Sequence, residues 1–198
     1  MKEKILEKAS AMFLNFGFKS VTMDDIAREL GMSKKTIYSH FSTKLKLVQA
    51  TAFYMLDKIN ATICKVCTGD HDPIEELYTI KNMVKDQLQA EKSSPHYQLK
   101  KYYPRVYKQL KEKQFELVNV CIVDNLKRGI KDGYYREDIN VDLVKRFYFN
   151  GNMSLSDIEL YPQDTYSLYD IKEAFMEYHI RAIATEKGLK ILLNILKK

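Results

Sequence analysis

Val21-Thr22-Met23-Asp24-Asp25-Ile26-Ala27-Arg28-Glu29-Leu30-Gly31-Met32-Ser33-Lys34-Lys35-Thr36-Ile37-Tyr38-Ser39-His40-Phe41 is the stretch on which the reading of this 198-residue chain turns. Thr22 stands three residues before Asp25, a variant of the capping box in which a hydroxyl and a carboxylate satisfy the orphan amides of a helix start. Met23, Ile26, Ala27 and Leu30 then recur at helical spacing and form a buried face. Gly31 supplies a sharp reversal, and Ser33 can cap a further helix, so two short helices are joined by a tight turn. In the second of these, Ile37 and Phe41 lie four residues apart and anchor it inward. Lys34, Lys35, Thr36, Tyr38, Ser39 and His40 are left outside, a face that is cationic, hydroxylic and aromatic.

Upstream, Ile5, Ala9, Met12, Phe13 and Phe16 recur at spacings of three and four, giving a first helix that Gly17 ends. Downstream, Leu47, Ala50, Tyr54 and Ile59 continue a fourth helix from about Thr43 to about Val66. A turn cluster, Gly69-Asp70-His71-Asp72-Pro73, precedes a fifth helix marked by Ile74, Leu77, Ile80, Val84 and Leu88. Ser93-Ser94-Pro95 breaks the chain again, and a short sixth helix ends near Tyr103, since Pro104 disfavours helix in the residue before it but suits a first helical position. A long seventh helix runs to about Asp132, with Gly133 just past its end. Asn140 caps an eighth carrying Val141, Val144, Tyr148 and Phe149. After a loop around Pro162 a ninth helix carries the stripe Leu168, Ile171, Phe175, Tyr178 and Ala182. Beyond Gly188 the apolar tail from Ile191 to Leu196 suggests a short last helix.

The composition agrees with an all-α protein of about nine or ten helices. Eleven of the 198 residues are Gly or Pro, too few turn-formers for a many-stranded sheet, while 45% are hydrophobic and 29% charged, as in a globular domain. No run free of Asp, Glu, Lys and Arg exceeds ten residues, half of what a spanning helix needs. Lys2, Glu3 and Lys4 lead straight into helical periodicity rather than into a signal peptide, so a cytoplasmic location is expected. Three cysteines make no disulfide framework and suit a reducing compartment. The net charge is +6, and residues 1 to 48 hold nine Lys or Arg against five acids, so most of the excess lies in a quarter of the chain. That footprint fits a polyanion partner, although basic surfaces without one are common.

A DNA major groove about 12 Å wide admits one α-helix; its floor is read by hydrogen bonds and its rim is phosphate. The helix from Ser33 to His40 offers groups of both kinds, and Lys34 and Lys35 lie at its N-terminal end, where the dipole also favours phosphate. An ordinary solvated helix of a small bundle would show the same periodicity and charge.

The residues from Ile5 to Leu47, with Val21-Thr22-Met23-Asp24-Asp25-Ile26-Ala27, Leu30-Gly31-Met32-Ser33 and Thr36-Ile37-Tyr38-Ser39-His40-Phe41 running into Lys44, closely resemble the DNA-binding domain of TetR-family transcriptional regulators. The resemblance implies a three-helix helix-turn-helix domain over residues 1–46 and a helical ligand-binding and dimerisation bundle over 47–198. It implies that the helix beginning at Ser33 enters the major groove, with Ser33 itself among the DNA-binding residues. Thr22 and Lys44 then meet phosphate, Lys34, Lys35, Thr36 and Ser39 meet base edges, and Tyr38 and His40 meet the backbone. Beyond residue 47 the likeness is one of helix count, not of residues. It further implies a homodimer, formed through the eighth and ninth helices, on a partly palindromic double-stranded DNA operator, and release by a small-molecule inducer. A regulator without a small ligand, acting through a protein partner or as an activator, is the alternative.

Tyrosines are abundant in the second region, and rings with a polar tip suit a cavity between helices as well as a core. Tyr103, Tyr107, Tyr148 and Asn119 are the candidates for ligand contact, Asn119 because it lies on the stripe Phe115, Asn119, Ile122, Leu126 and a buried amide needs partners. Cys64-Lys65-Val66-Cys67 has the spacing of half a zinc site, but no second pair exists and only His71 and Asp72 lie nearby, so two small buried hydrophobes are expected. No metal and no cofactor are expected. The chain has no phosphate-cradling glycine loop, no His-Glu-x-x-His and no spacing that pairs a nucleophile with a base, which argues against an enzyme.

Overall fold

In a computed structural model, residues 1–88, 95–155, 157, 159–162 and 164–197 are described. Among them the chain forms α1 (Lys2–Phe16), α2 (Met23–Glu29), α3 (Lys34–His40), α4 (Lys44–Cys67), α5 (Pro73–Leu88), α6 (Pro95–Tyr102), α7 (Pro104–Lys131), α8 (Val141–Ser154), α9 (Leu168–Ile183) and α10 (Glu186–Leu196). The fold is all-α, as the sequence implies. The break expected at Ser93-Ser94 and the Leu88 side chain lie outside what is described.

Two compact units emerge, Met1–Ala61 with Gln87–Gln114, and Thr62–Asp86 with Phe115–Lys198. The boundary expected between residues 46 and 47 therefore falls inside α4, which has no cap or breaker there and runs on unbroken. Three helices, α4, α5 and α7, each carry the chain from one unit into the other.

The first unit gathers Ile5, Ala9, Phe13, Phe18, Ile26, Ile37 and Leu47 into one core, to which Leu99, Val106 and Leu110 also belong. Phe16 is an exception to the face read for α1: it is 67% exposed. The chain turns at Gly17, and Phe18 takes the inward place instead, its ring stacked on Phe13 at 4.8 Å.

In the second unit the core comprises Ile74, Leu77, Tyr78, Ile122, Leu126, Tyr135, Met176, Ile180, Ile183 and Leu192. Here the stripe expected for α9 is out of phase. Met176, His179, Ile180 and Ile183 face inward, whereas Tyr178 is 73% exposed and Leu168 and Ala182 also lie outside. Both sets have helical spacing, and a helix apolar around much of its circumference does not declare from its own sequence which side is buried. Gly188 is likewise not a break before the last helix but part of its first turn, which Thr185 caps by accepting from the Gly188 amide at 3.3 Å. A side chain at Gly188 would strike the Tyr134 carbonyl oxygen, so glycine is there to allow close approach. That approach joins the turn after α7 to the turn before α10, where Thr185 N–H donates to the Tyr134 carbonyl and Arg136 N–H to that of Ile183, both at 2.9 Å.

A buried polar network ties α5 to α7 in the same unit. Glu76 is 1% exposed and pairs with the Arg128 guanidinium, which also donates to Asp124 at 2.8 Å. Asn125 Nδ2 donates to Glu76 Oε1 at 2.9 Å and to the Pro73 carbonyl at 2.8 Å, while Tyr135 OH donates to Asn125 Oδ1 at 3.0 Å. Removing one partner of a buried ion pair strands the other charge, at a cost of about 3 kcal/mol. Arg128→Met is therefore expected to destabilise the protein by about that amount in urea unfolding, and the double substitution Glu76→Gln with Arg128→Met to recover most of it.

Candidate nucleic-acid interface

The turn between α2 and α3 is set by short-range chemistry. Asp25 N–H donates to Thr22 Oγ1 at 3.1 Å, and Thr22 N–H donates back to Asp25 Oδ2 at 3.0 Å, so the capping box is reciprocal. Gly31 takes φ +62°, a left-handed conformation that glycine adopts at no steric cost. Ser33 Oγ then accepts from Thr36 N–H at 3.1 Å and starts α3. Ile37 is the buried residue of α3, wholly shielded, and Phe41 closes its end.

Outward from Ile37, Ser33, Lys34, Lys35, Tyr38, Ser39 and His40 are exposed, and Thr36 is half-buried. These side chains are not equally free. Lys34 Nζ forms an ion pair with Asp24 at 2.9 Å and lies 5.9 Å from the Tyr38 ring centroid; the hydrogen bond to Asp24 holds the Lys34 ammonium above its usual pKa. Thr36 Oγ1 is 2.8 Å from Ser33 Oγ, and Ser39 Oγ donates to the Thr36 carbonyl at 2.7 Å. Lys44, at the start of α4, donates to the Lys19 carbonyl at 2.7 Å, and partial burial lowers its pKa. Lys35 and His40 have no hydrogen-bonding or ionic partner among the described residues. Thr22, Ser33, Lys34, Lys35, Thr36, Tyr38, Ser39, His40 and Lys44 thus all lie within α2, α3, their caps and the first residue of α4. Asp24 is the participant that helical spacing did not single out; its pairing with Lys34 across ten residues follows only from the α2–α3 turn.

The four residues expected to contact a ligand do not share one unit. Tyr103 and Tyr107 pack against the core of the first, where Tyr103 OH donates to the Phe18 carbonyl at 3.4 Å. Asn119 and Tyr148 belong to the second. Tyr148 packs against His179 with ring centroids 4.9 Å apart, and the Phe175 ring lies 6.1 Å from each of them. Asn119 Oδ1, His179 Nε2 and Tyr78 OH are buried atoms with no hydrogen-bond partner among the described residues. Two of these, on His179 and Tyr78, escaped the sequence reading because both side chains sit on faces whose burial only the tertiary packing decides.

An all-α core presenting a short capped helix by its cationic face, after a capped helix and a glycine turn, defines the helix-turn-helix class of DNA-binding protein. Residues 5–51 match the family described as bacterial regulatory proteins, tetR family. The matched stretch runs from α1 into α4 and contains the helix-turn-helix. The chain is 28% identical over 151 residues to the transcriptional repressor KstR2 of Mycobacterium tuberculosis (strain CDC 1551 / Oshkosh), an alignment covering 73% of this chain and 74% of that one. In fold it is similar to a TetR transcription regulator from Haloarcula marismortui, with a TM-score of 0.75 at 20% identity over 93% of this chain and 98% of that one. It is similar also to a transcriptional regulator from Saccharomonospora viridis solved in complex with choline, with a TM-score of 0.72 at 18% identity over 93% of this chain and 98% of that one. No helix among the described residues is long and apolar enough to cross a membrane.

Burial lowers the His179 pKa to about 4, so the imidazole is neutral at pH 7. Unfolded, it titrates near 6.5, and between those values the unfolded chain binds the extra proton. The stability that depends on neutral His179 is thus complete above about pH 6.5 and is lost as the pH falls towards 4, by about 3 kcal/mol. His179→Phe is expected to flatten the decline of Tm between those pH values, measured by circular dichroism.

Proposed function

We propose that the protein is a ligand-responsive transcriptional repressor that binds a partly palindromic operator as a homodimer and is released by a small-molecule inducer, acting in the cytoplasm where the chromosome lies. The observation that carries the DNA-binding half is the division of α3: Ile37 is wholly buried while its lysines, hydroxyls and aromatic ring face outward. Lys34, Lys35, Thr36 and Ser39 are assigned to base edges, Ser33 to the helix start, Tyr38 and His40 to the backbone, and Thr22 and Lys44 to phosphate. Lys34 exchanges Asp24 for DNA on binding and gives up an exposed ion pair that contributes at most about 1 kcal/mol. The repressor relative from M. tuberculosis supports the sign of regulation.

Support for a homodimer comes from the apolar residues that α8 and α9 leave outside: Leu143, Phe147 and Tyr178 are 47%, 66% and 73% exposed. A two-fold pair places two copies of α3 in successive major grooves about 34 Å apart. An inducer site in the second unit, around Asn119 and Tyr148, is supported by the unpartnered Asn119 oxygen and His179 nitrogen, which suit a mostly apolar ligand with one or two donors. A ligand that binds the DNA-incompetent form more tightly by about 1.4 kcal/mol weakens operator binding tenfold.

Selection of genomic fragments by the purified protein, followed by anisotropy titration at several salt concentrations, tests this reading; recovery of no sequence with two related half-sites rejects it. Lys35→Ala is expected to weaken binding to the selected site and reduce the slope of log affinity against log salt by about 1, with the melting curve unchanged. Phe147→Asp is expected to shift the protein from dimer to monomer in sedimentation without unfolding it, since the side chain it replaces is mostly in solvent.

A further inference from the structure

A second basic run lies outside the proposed recognition helix. From Pro95 to Lys111 the chain carries five Lys or Arg and no Asp or Glu. The run spans α6 and the first turns of α7, and it belongs to the first unit, together with α1, α2, α3 and most of α4. Leu99 seats α6 in the core of that unit, and the Gln98 side chain comes so near Gly17 that a Cβ there would meet it at 2.6 Å. The segment between α1 and α2 is thus packed against α6, and it brings one more cation, Lys19. Lys44 Nζ donates to the Lys19 carbonyl at 2.7 Å. The Lys19 ammonium lies 5.0 Å from the Tyr102 ring centroid, and the Lys101 ammonium lies 5.6 Å from the same centroid while donating to Tyr97 OH at 3.0 Å. Lys19, Lys101 and Tyr102 are all exposed.

Other lysines of this unit are neutralised within it: Lys8, Lys34 and Lys58 pair with Glu29, Asp24 and Glu7. Lys19 and Lys101 have no carboxylate partner among the described residues; they share a ring instead. An aromatic face attracts an ammonium group and orients it but does not cancel its charge. Two like charges held beside one ring therefore keep an uncompensated positive potential, which an anion relieves. We propose that Lys19 and Lys101, oriented by Tyr102, form a further contact with the phosphate backbone of duplex DNA, continuous with Lys44 and separate from the base-reading face of α3. The choice of DNA over an acidic protein follows from that continuity, since Lys44 is the residue assigned to phosphate at the start of α4, and the inference rests on that assignment. Phosphate contacts position a protein on the duplex and carry no sequence information. This one adds to affinity for every duplex alike, and each phosphate neutralised releases condensed counterions, which makes the contact visible in the salt dependence of binding.

The test measures binding of the full chain, by anisotropy at several salt concentrations, to the selected site and to an unrelated duplex. Lys19→Ala and Lys101→Ala are each expected to reduce the slope of log affinity against log salt by about 1 and to weaken both duplexes by the same factor, with the melting curve unchanged. Lys19→Arg is expected to keep the slope, because the charge remains. Lys190→Ala, which removes the same charge from an exposed position of α10 in the second unit, is expected to leave the slope as it was. A slope equal to that of the unaltered protein in either alanine variant of the strip, a loss confined to the selected site, or an equal fall in Lys190→Ala overturns the proposal while the operator reading stands. An unaltered protein that binds neither duplex overturns both.

Discussion

The burial of Ile37 is the contact on which the proposed DNA-binding surface depends. A seven-residue helix is far too short to persist in water on its own propensity, and α3 exists because one side chain is driven into the core of Phe13, Ile26 and Leu47. That side chain contributes about 2 kcal/mol from its transfer out of water. It also fixes the rotation of α3, and with it which residues face away. With Ile37 inside, Lys34, Lys35 and Ser39 have nowhere to go but outward. Capping by Thr22, Asp25 and Ser33 sets where each helix begins, so chain geometry and core burial agree on one presentation of the polar face.

Much of this was legible because it is local. The Thr22 box, the Ser33 and Asn140 caps, the reversal at Gly31 and the start of α7 at Pro104 depend on residues within a few positions of each other, where spacing and structure are nearly the same information. The composition of the polar face of α3 could be read for the same reason.

Other features are settled by neighbours that spacing does not reveal. The inward side of α9 is decided by what α5, α7 and α10 offer it, and the helix carries apolar residues on more than one side. Phe16 belongs to the right periodicity but lies one residue before the chain turns away. Glycine at position 188 looks like punctuation in the sequence and is instead a clearance for the Tyr134 carbonyl. The Glu76 network joins residues as far apart as Pro73 and Tyr135, and it is invisible until α5 and α7 are in place.

The Asp24–Lys34 pair on the α2–α3 surface has a bearing on selectivity. In the proposed complex the Asp24 carboxylate loses its cation and is left near a polyanion, a repulsion that every duplex imposes alike, whatever its bases. Only a site whose base edges give Lys34 a better acceptor offsets that penalty. In the proposed complex the acidic residue thereby weakens binding to the vast excess of wrong sequences more than to the right one.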